Sequence, residues 1–108
     1  MFEEKLKDGI VLKAKIRGRQ GVNFFGMPAN PGDCYGVANN AGISGNYVLV
    51  DTIGKMTAIP GEPINKGDKI TFKDGFVFKC QDNEPACGYA LADVDIEADR
   101  ILIFKTGA

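Results

Sequence analysis

The chain has 108 residues, 44% of them hydrophobic and 25% charged, with 13 basic and 14 acidic side chains for a formal net charge of -1. That length suits one domain able to bury roughly 65% of its unfolded surface, and that composition excludes long disorder. So balanced a charge supplies no bulk field to draw the chain onto nucleic acid or an anionic membrane, so neither is an expected partner.

The start, Met1-Phe2-Glu3-Glu4-Lys5, has no apolar stretch followed by a small-residue cleavage site, and the longest runs of large apolar residues are Tyr47 to Val50 and Ile101 to Phe104. Neither a signal peptide nor a membrane span is expected. Residues 1–9 read as an N-terminal arm or short helix, in which Phe2 and Leu6 either share a helical turn or dock on a neighbour. Residues 10–108 read as a single β domain, since fourteen Gly, five Pro and seven Phe favour short strands and tight turns.

Ile10 to Arg17 alternates: Leu12, Ala14 and Ile16 point to a core, and Lys13, Lys15 and Arg17 point away from it. Gly18 to Gly45 is broken by Gly26, Pro28, Pro31-Gly32 and Asn39-Asn40-Ala41-Gly42, which predicts a long loop with short extended pieces. Tyr47 to Thr52 and Lys55 to Ile59 read as two strands with a turn near Gly54. Ile70 to Phe78 reads as a hairpin. A three-residue Lys73-Asp74-Gly75 loop would pair Phe72 with Phe76 and Ile70 with Phe78, gathering four large apolar side chains on one face. Ile101 to Lys105 is the last strand, apolar enough to be covered on both sides. Gly36-Val37-Ala38 before Tyr47 to Val50 is echoed, with one insertion, by Gly88-Tyr89-Ala90-Leu91 before Ile101 to Phe104. A true duplication would give two similar sheet layers closing on one core.

Catalytic chemistry finds little support. Histidine is absent, which removes the commonest general base near neutral pH and the His-containing metal sites. Ser44 is the only serine and lies outside any nucleophile elbow, and no phosphate-cradling glycine pattern is present. Cys34, Cys80 and Cys87 form an odd set without CxxC spacing, predicting reduced, partly buried thiols. Asp93, Asp95, Glu97 and Asp99 alternate with Val94, Ile96 and Ala98, so an extended chain would align them as a solvated acidic edge or a Ca²⁺ row. Lys13, Lys15, Arg17 and Arg19 make the complementary basic row. No cofactor, bound metal or small-molecule substrate is expected.

The segment Val22-Asn23-Phe24-Phe25-Gly26-Met27-Pro28 cannot direct both aromatics and the methionine inward, because neighbours on a strand face opposite sides. Aromatic residues and Met are enriched in interface cores. Phe24, Phe25 and Met27, with Phe2 and the Lys13, Lys15, Arg17 row, are therefore the candidate protein-contact residues. The alternative for the loop is a lid folded over one end of a barrel.

Pro63-Ile64-Asn65-Lys66-Gly67-Asp68-Lys69-Ile70-Thr71-Phe72, then Asp74-Gly75, Ala86-Cys87-Gly88-Tyr89-Ala90-Leu91 and Ile101-Leu102-Ile103-Phe104, resembles the capsid cement, or head decoration, proteins of tailed bacteriophages. The resemblance spans Gly36 to Lys105. It implies a small β-barrel or β-tulip-like fold without catalytic residues, made in the host cytoplasm and bound to the exterior of the assembled virion head. The implied partners are the major capsid protein and, as a homotrimer, other copies of the chain. The alternatives are another virion β-barrel, such as a head-tail joining or tail component, a cellular β-barrel interaction module, or a small enzyme or metal-binding domain built on the cysteines and the acidic row.

Overall fold

In the computed structural model, which describes residues 6–106, the alternation around Ile10 becomes a strand displaced toward the N-terminus. β1 spans Leu6–Val11, so Leu6 to Gly9 are strand and not arm or helix, and Phe2 lies outside the described residues. Beyond Val11 the chain leaves the ladder, yet Leu12 and Ile16 still turn inward while Lys13, Lys15 and Arg17 stay exposed. The remaining strands are β2 (Gly21–Asn23), β3 (Cys34–Ala38), β4 (Tyr47–Ala58), β5 (Lys69–Lys73), β6 (Phe76–Lys79), β7 (Gly88–Ala90) and β8 (Ile101–Lys105).

The sheet runs β2-β3-β4-β8-β7-β5-β6, with β1 added on β4, and every paired strand is antiparallel. Its two ends meet through loops: the Gly21 N–H of β2 donates to the Gly75 carbonyl of the β5–β6 turn, and the Gly75 N–H to that of Ala29. The result is the expected all-β architecture, a nearly closed antiparallel barrel.

Two expectations fail for physical reasons. Tyr47 to Ala58 is one 12-residue strand, not two strands with a turn. At Gly54, with φ 119°, the strand bends and exchanges partners: residues before it pair with β1 and β3, and those from Gly54 onward with β8. Glycine makes that bend without the steric cost of a Cβ. The β5–β6 hairpin also has the other register, pairing Phe72 with Val77 and Ile70 with Lys79 across a two-residue turn. Asp74 and Gly75 have φ of 53° and 85°, the left-handed pair of a type I′ turn whose twist matches the strands. Facing did not decide the register because Ile70, Thr71 and Phe72 are all buried. Phe76 and Phe78 are only half-buried.

The echo noted in the sequence extends through the whole barrel. Ile16 exchanges both backbone hydrogen bonds with Gly42, as Ile64 does with Val94. The Ala38 N–H donates to Gln20 and the Ala90 N–H to Asp68; the Asn39 N–H donates to Leu49 and the Leu91 N–H to Leu102. Ile10 pairs with Val48 and Val50 with Ala38, just as Ala58 pairs with Ile101 and Ile103 with Ala90. All eight of these paired residues are buried. Residues 6–53 and 54–106 thus follow one plan, joined in the middle of β4. Two core clusters result: Ile10, Leu12, Ile16, Val22, Val48 and Val50 anchor one within the first half, and Ile64, Ile70, Phe72, Ile101 and Ile103 anchor the other, which Ala29, Cys34 and Val37 of the first half complete.

Candidate docking surface

Asn23 ends β2 by capping its own loop. Its Oδ1 accepts from the N–H groups of Phe25 (2.9 Å) and Met27 (3.1 Å), while its backbone N–H donates to the Met27 carbonyl and its carbonyl accepts from Gly26. Asparagine is suited to this role because its side chain competes for nearby backbone donors. The loop is also fastened to the strand side, since the Lys13 N–H donates to the Gly26 carbonyl at 3.0 Å. Gly26 has φ 85°, and a Cβ there would lie 2.4 Å from the Val11 carbonyl oxygen, so only glycine permits that approach.

On this pinned backbone Phe24 and Phe25 project into solvent, 66% and 73% exposed, with Met27 at 43%. The loop does not fold back as a lid over them. Phe24 meets Phe25 edge to face at 6.1 Å and Tyr35 at 5.2 Å. Tyr35 packs against the first core cluster, and its hydroxyl donates to the Asp8 carboxylate, a bond that holds Asp8 below its usual range. Lys13 and Lys15 are exposed, Lys13 next to the loop through its bond to Gly26, whereas the Arg17 guanidinium lies over the Phe76 ring at 5.8 Å. The structure therefore groups Phe24, Phe25 and Met27 with Lys13 and draws Arg17 toward the other half.

The outward face of β1 and β4 extends the apolar area. Val11 pairs with Tyr47 and Gly9 with Leu49, and Val11, Tyr47 and Leu49 are all exposed. The run Tyr47 to Val50 did not signal them, because four consecutive apolar residues carry no period-two contrast.

Asp51 is the polar anchor behind this face. Its carboxylate, fully buried, accepts from Lys7 Nζ and Arg19 Nη2, each at 2.8 Å, and Asn39 Oδ1 in turn accepts from Arg19 Nη1 at 3.1 Å. Burial by itself would raise the Asp51 carboxyl, but the hydrogen bonds and charges of Lys7 and Arg19 outweigh it and hold the group low. In the other half the equivalent of Asp51 is Phe104, stacked on Tyr89 at 5.7 Å.

The acidic row does not form. The chain turns at Ile96 and Glu97, Asp93 accepts from the Lys66 N–H at 2.7 Å and Asp95 from the Glu97 N–H at 3.0 Å. Ile96, which alternates with these carboxylates, is itself 81% exposed. The thiols are free, with Cys34 and Cys87 buried. Burial pushes both up, Cys87 to about 11, which leaves them protonated and poorly nucleophilic. Lys105 is buried near them, and its Nζ donates to the Thr52 carbonyl at 2.9 Å.

The fold is a small, nearly closed antiparallel β-barrel that carries this exposed, backbone-pinned apolar surface. Among solved structures the chain is similar to the N base of the head fiber gp8.5 of bacteriophage phi29, with a TM-score of 0.68 and 17% identity over 95% of each chain. The likeness is one of fold. No protein-family model and no curated protein matches the sequence.

Proposed function

We propose that this protein is a non-catalytic structural component of a phage head, seated on the outer surface of the assembled shell and stabilising contacts between capsid subunits. The observation that carries the reading is the likeness to a head fiber base across nearly the full length of both chains. It is supported by the cement-protein resemblance of Gly36 to Lys105, a second and separate route to the same location. Phe24, Phe25 and Met27, with Lys13 and Lys15 at the rim, are the contact residues, Phe2 belongs to the same set, and Arg17, drawn over Phe76, stands apart from it. Their exposed aromatics suit a protein partner, because interface energy concentrates in a few large anchors, and a pinned loop loses little entropy on binding. A protein that binds only the assembled lattice stabilises it by mass action.

The test is cosedimentation of purified protein with mature heads that lack it, followed by heating of the decorated and bare heads. Saturable binding with a raised disruption temperature is expected. Free protein left entirely in the supernatant at micromolar concentration rejects the reading.

A further inference from the structure

Two halves built on one backbone plan meet the same packing demands, so each serves as a control for the other. Equivalent positions that differ in exposure then mark where the two halves have diverged. Among the described residues eleven large hydrophobic side chains are exposed, and only Tyr89 and Ile96 of these follow Gly54. Tyr47, 68% exposed, stands where the second half has Arg100. Its ring lies across Gly9, where an added Cβ would meet the phenol oxygen. Leu49 is exposed, whereas its equivalent Leu102 is half-buried.

Charge divides along the same line. Residues 6–53 hold five basic and three acidic side chains, and residues 54–106 hold seven basic and nine acidic. Of the three acids, Asp51 is paired with Lys7 and Arg19, Asp33 caps the Asn30 N–H, and Asp8 accepts from the Tyr35 hydroxyl. With five basic against three acidic side chains, the described part of this half stays net positive, and Lys13 and Lys15 are exposed in it.

We infer that the halves have divided their duties. The half from Gly54 onward is scaffold, and the half ending at Ile53 carries a docking surface of Phe24, Phe25, Val11, Tyr47 and Leu49, rimmed by Lys13 and Lys15, that fits an acidic protein surface with apolar pockets. This rests on the head-attachment reading, which makes that surface part of the outer shell. The aromatics supply contact area, and the lysines set orientation and approach through charge complementarity.

Equivalent positions provide the test. Tyr47→Ser is compared with Arg100→Ser, and Lys13→Glu/Lys15→Glu with Asp95→Lys/Glu97→Lys, by cosedimentation with mature heads at low and high salt after melting confirms each fold. Leu49→Ser replaces Tyr47→Ser if the latter unfolds. The first-half variants should weaken binding about tenfold or more, as anchor truncations do; the second-half variants should stay within about twofold of the parent, and high salt should weaken the parent more than Lys13→Glu/Lys15→Glu. Equal losses from both halves, or losses confined to the second-half variants, overturn the division while leaving head attachment intact. A parent chain that ignores heads rejects head attachment and, with it, this partner. Self-association abolished by Tyr47→Ser would assign the surface to a second copy and overturn the acidic shell as its occupant.

Discussion

Phe24 and Phe72 occupy equivalent positions in the two halves of the barrel, one 66% and the other 1% exposed. The difference lies in where each strand stops: Asn23 caps and ends β2 before Phe24, whereas β5 continues to Lys73. Phe72→Ala should cost ~3–5 kcal/mol, the usual range for a buried Phe truncation. Phe24→Ala should stay within ~1 kcal/mol, because the side chain gains little contact on folding. Paired denaturant titrations check both, and equal losses would undo the contrast.

Gly75→Ala should destabilise by more than ~1 kcal/mol, since alanine is disfavoured at positive φ. A Cβ there would also stand 2.3 Å from Gln20 Cγ and 2.8 Å from the Gly21 carbonyl oxygen. Urea midpoints measure the effect; an unchanged midpoint would mean that the turn is not the type I′ pair described above.

How much of this was legible in the sequence follows from what each residue has to reveal. The alternation of Ile10, Leu12 and Ile16 shows because one face is wet and the other dry. Glycine at 36 and at 88 made the echo visible, whereas its first half stayed hidden: Arg19 adopts φ 70° where the second copy has Gly67 at 92°, and Gln20 caps Arg17 as Asp68 caps Asn65. Different side chains solve the same backbone problem there, so no spelling is shared. The hairpin register was missed because β5 is buried on both sides, which erases the period-two signal. The exposed loop was legible, because adjacent aromatics between glycine and proline breaks cannot all be core.

Acid should weaken the barrel through Asp51. Its folded-state pKa lies below the unfolded value, so its contribution is fully present above the unfolded value of ~3.9 and is lost as pH falls through the folded one. Asp51→Asn should therefore show a shallower loss of melting temperature than the parent between roughly pH 5 and pH 2. Parallel curves would show that Lys7 and Arg19 contribute nothing through this carboxylate.

The three cysteines should separate by reactivity. Cys80 is only half-buried and should react with a thiol reagent in the native protein, while Cys34 and Cys87 react on the timescale of unfolding. Mass spectrometry counts the labels against time. Prompt labelling of all three would show that the second core cluster opens readily.

Head attachment through the first half is tested most directly by a cryo-EM reconstruction of mature heads saturated with the purified protein. The barrel should stand on the outer shell with the Phe24–Phe25 loop and the β1–β4 face against capsid subunits. Bare heads at saturating protein, or barrels seated by the Ile96 turn with the Phe24 loop in solvent, would contradict it.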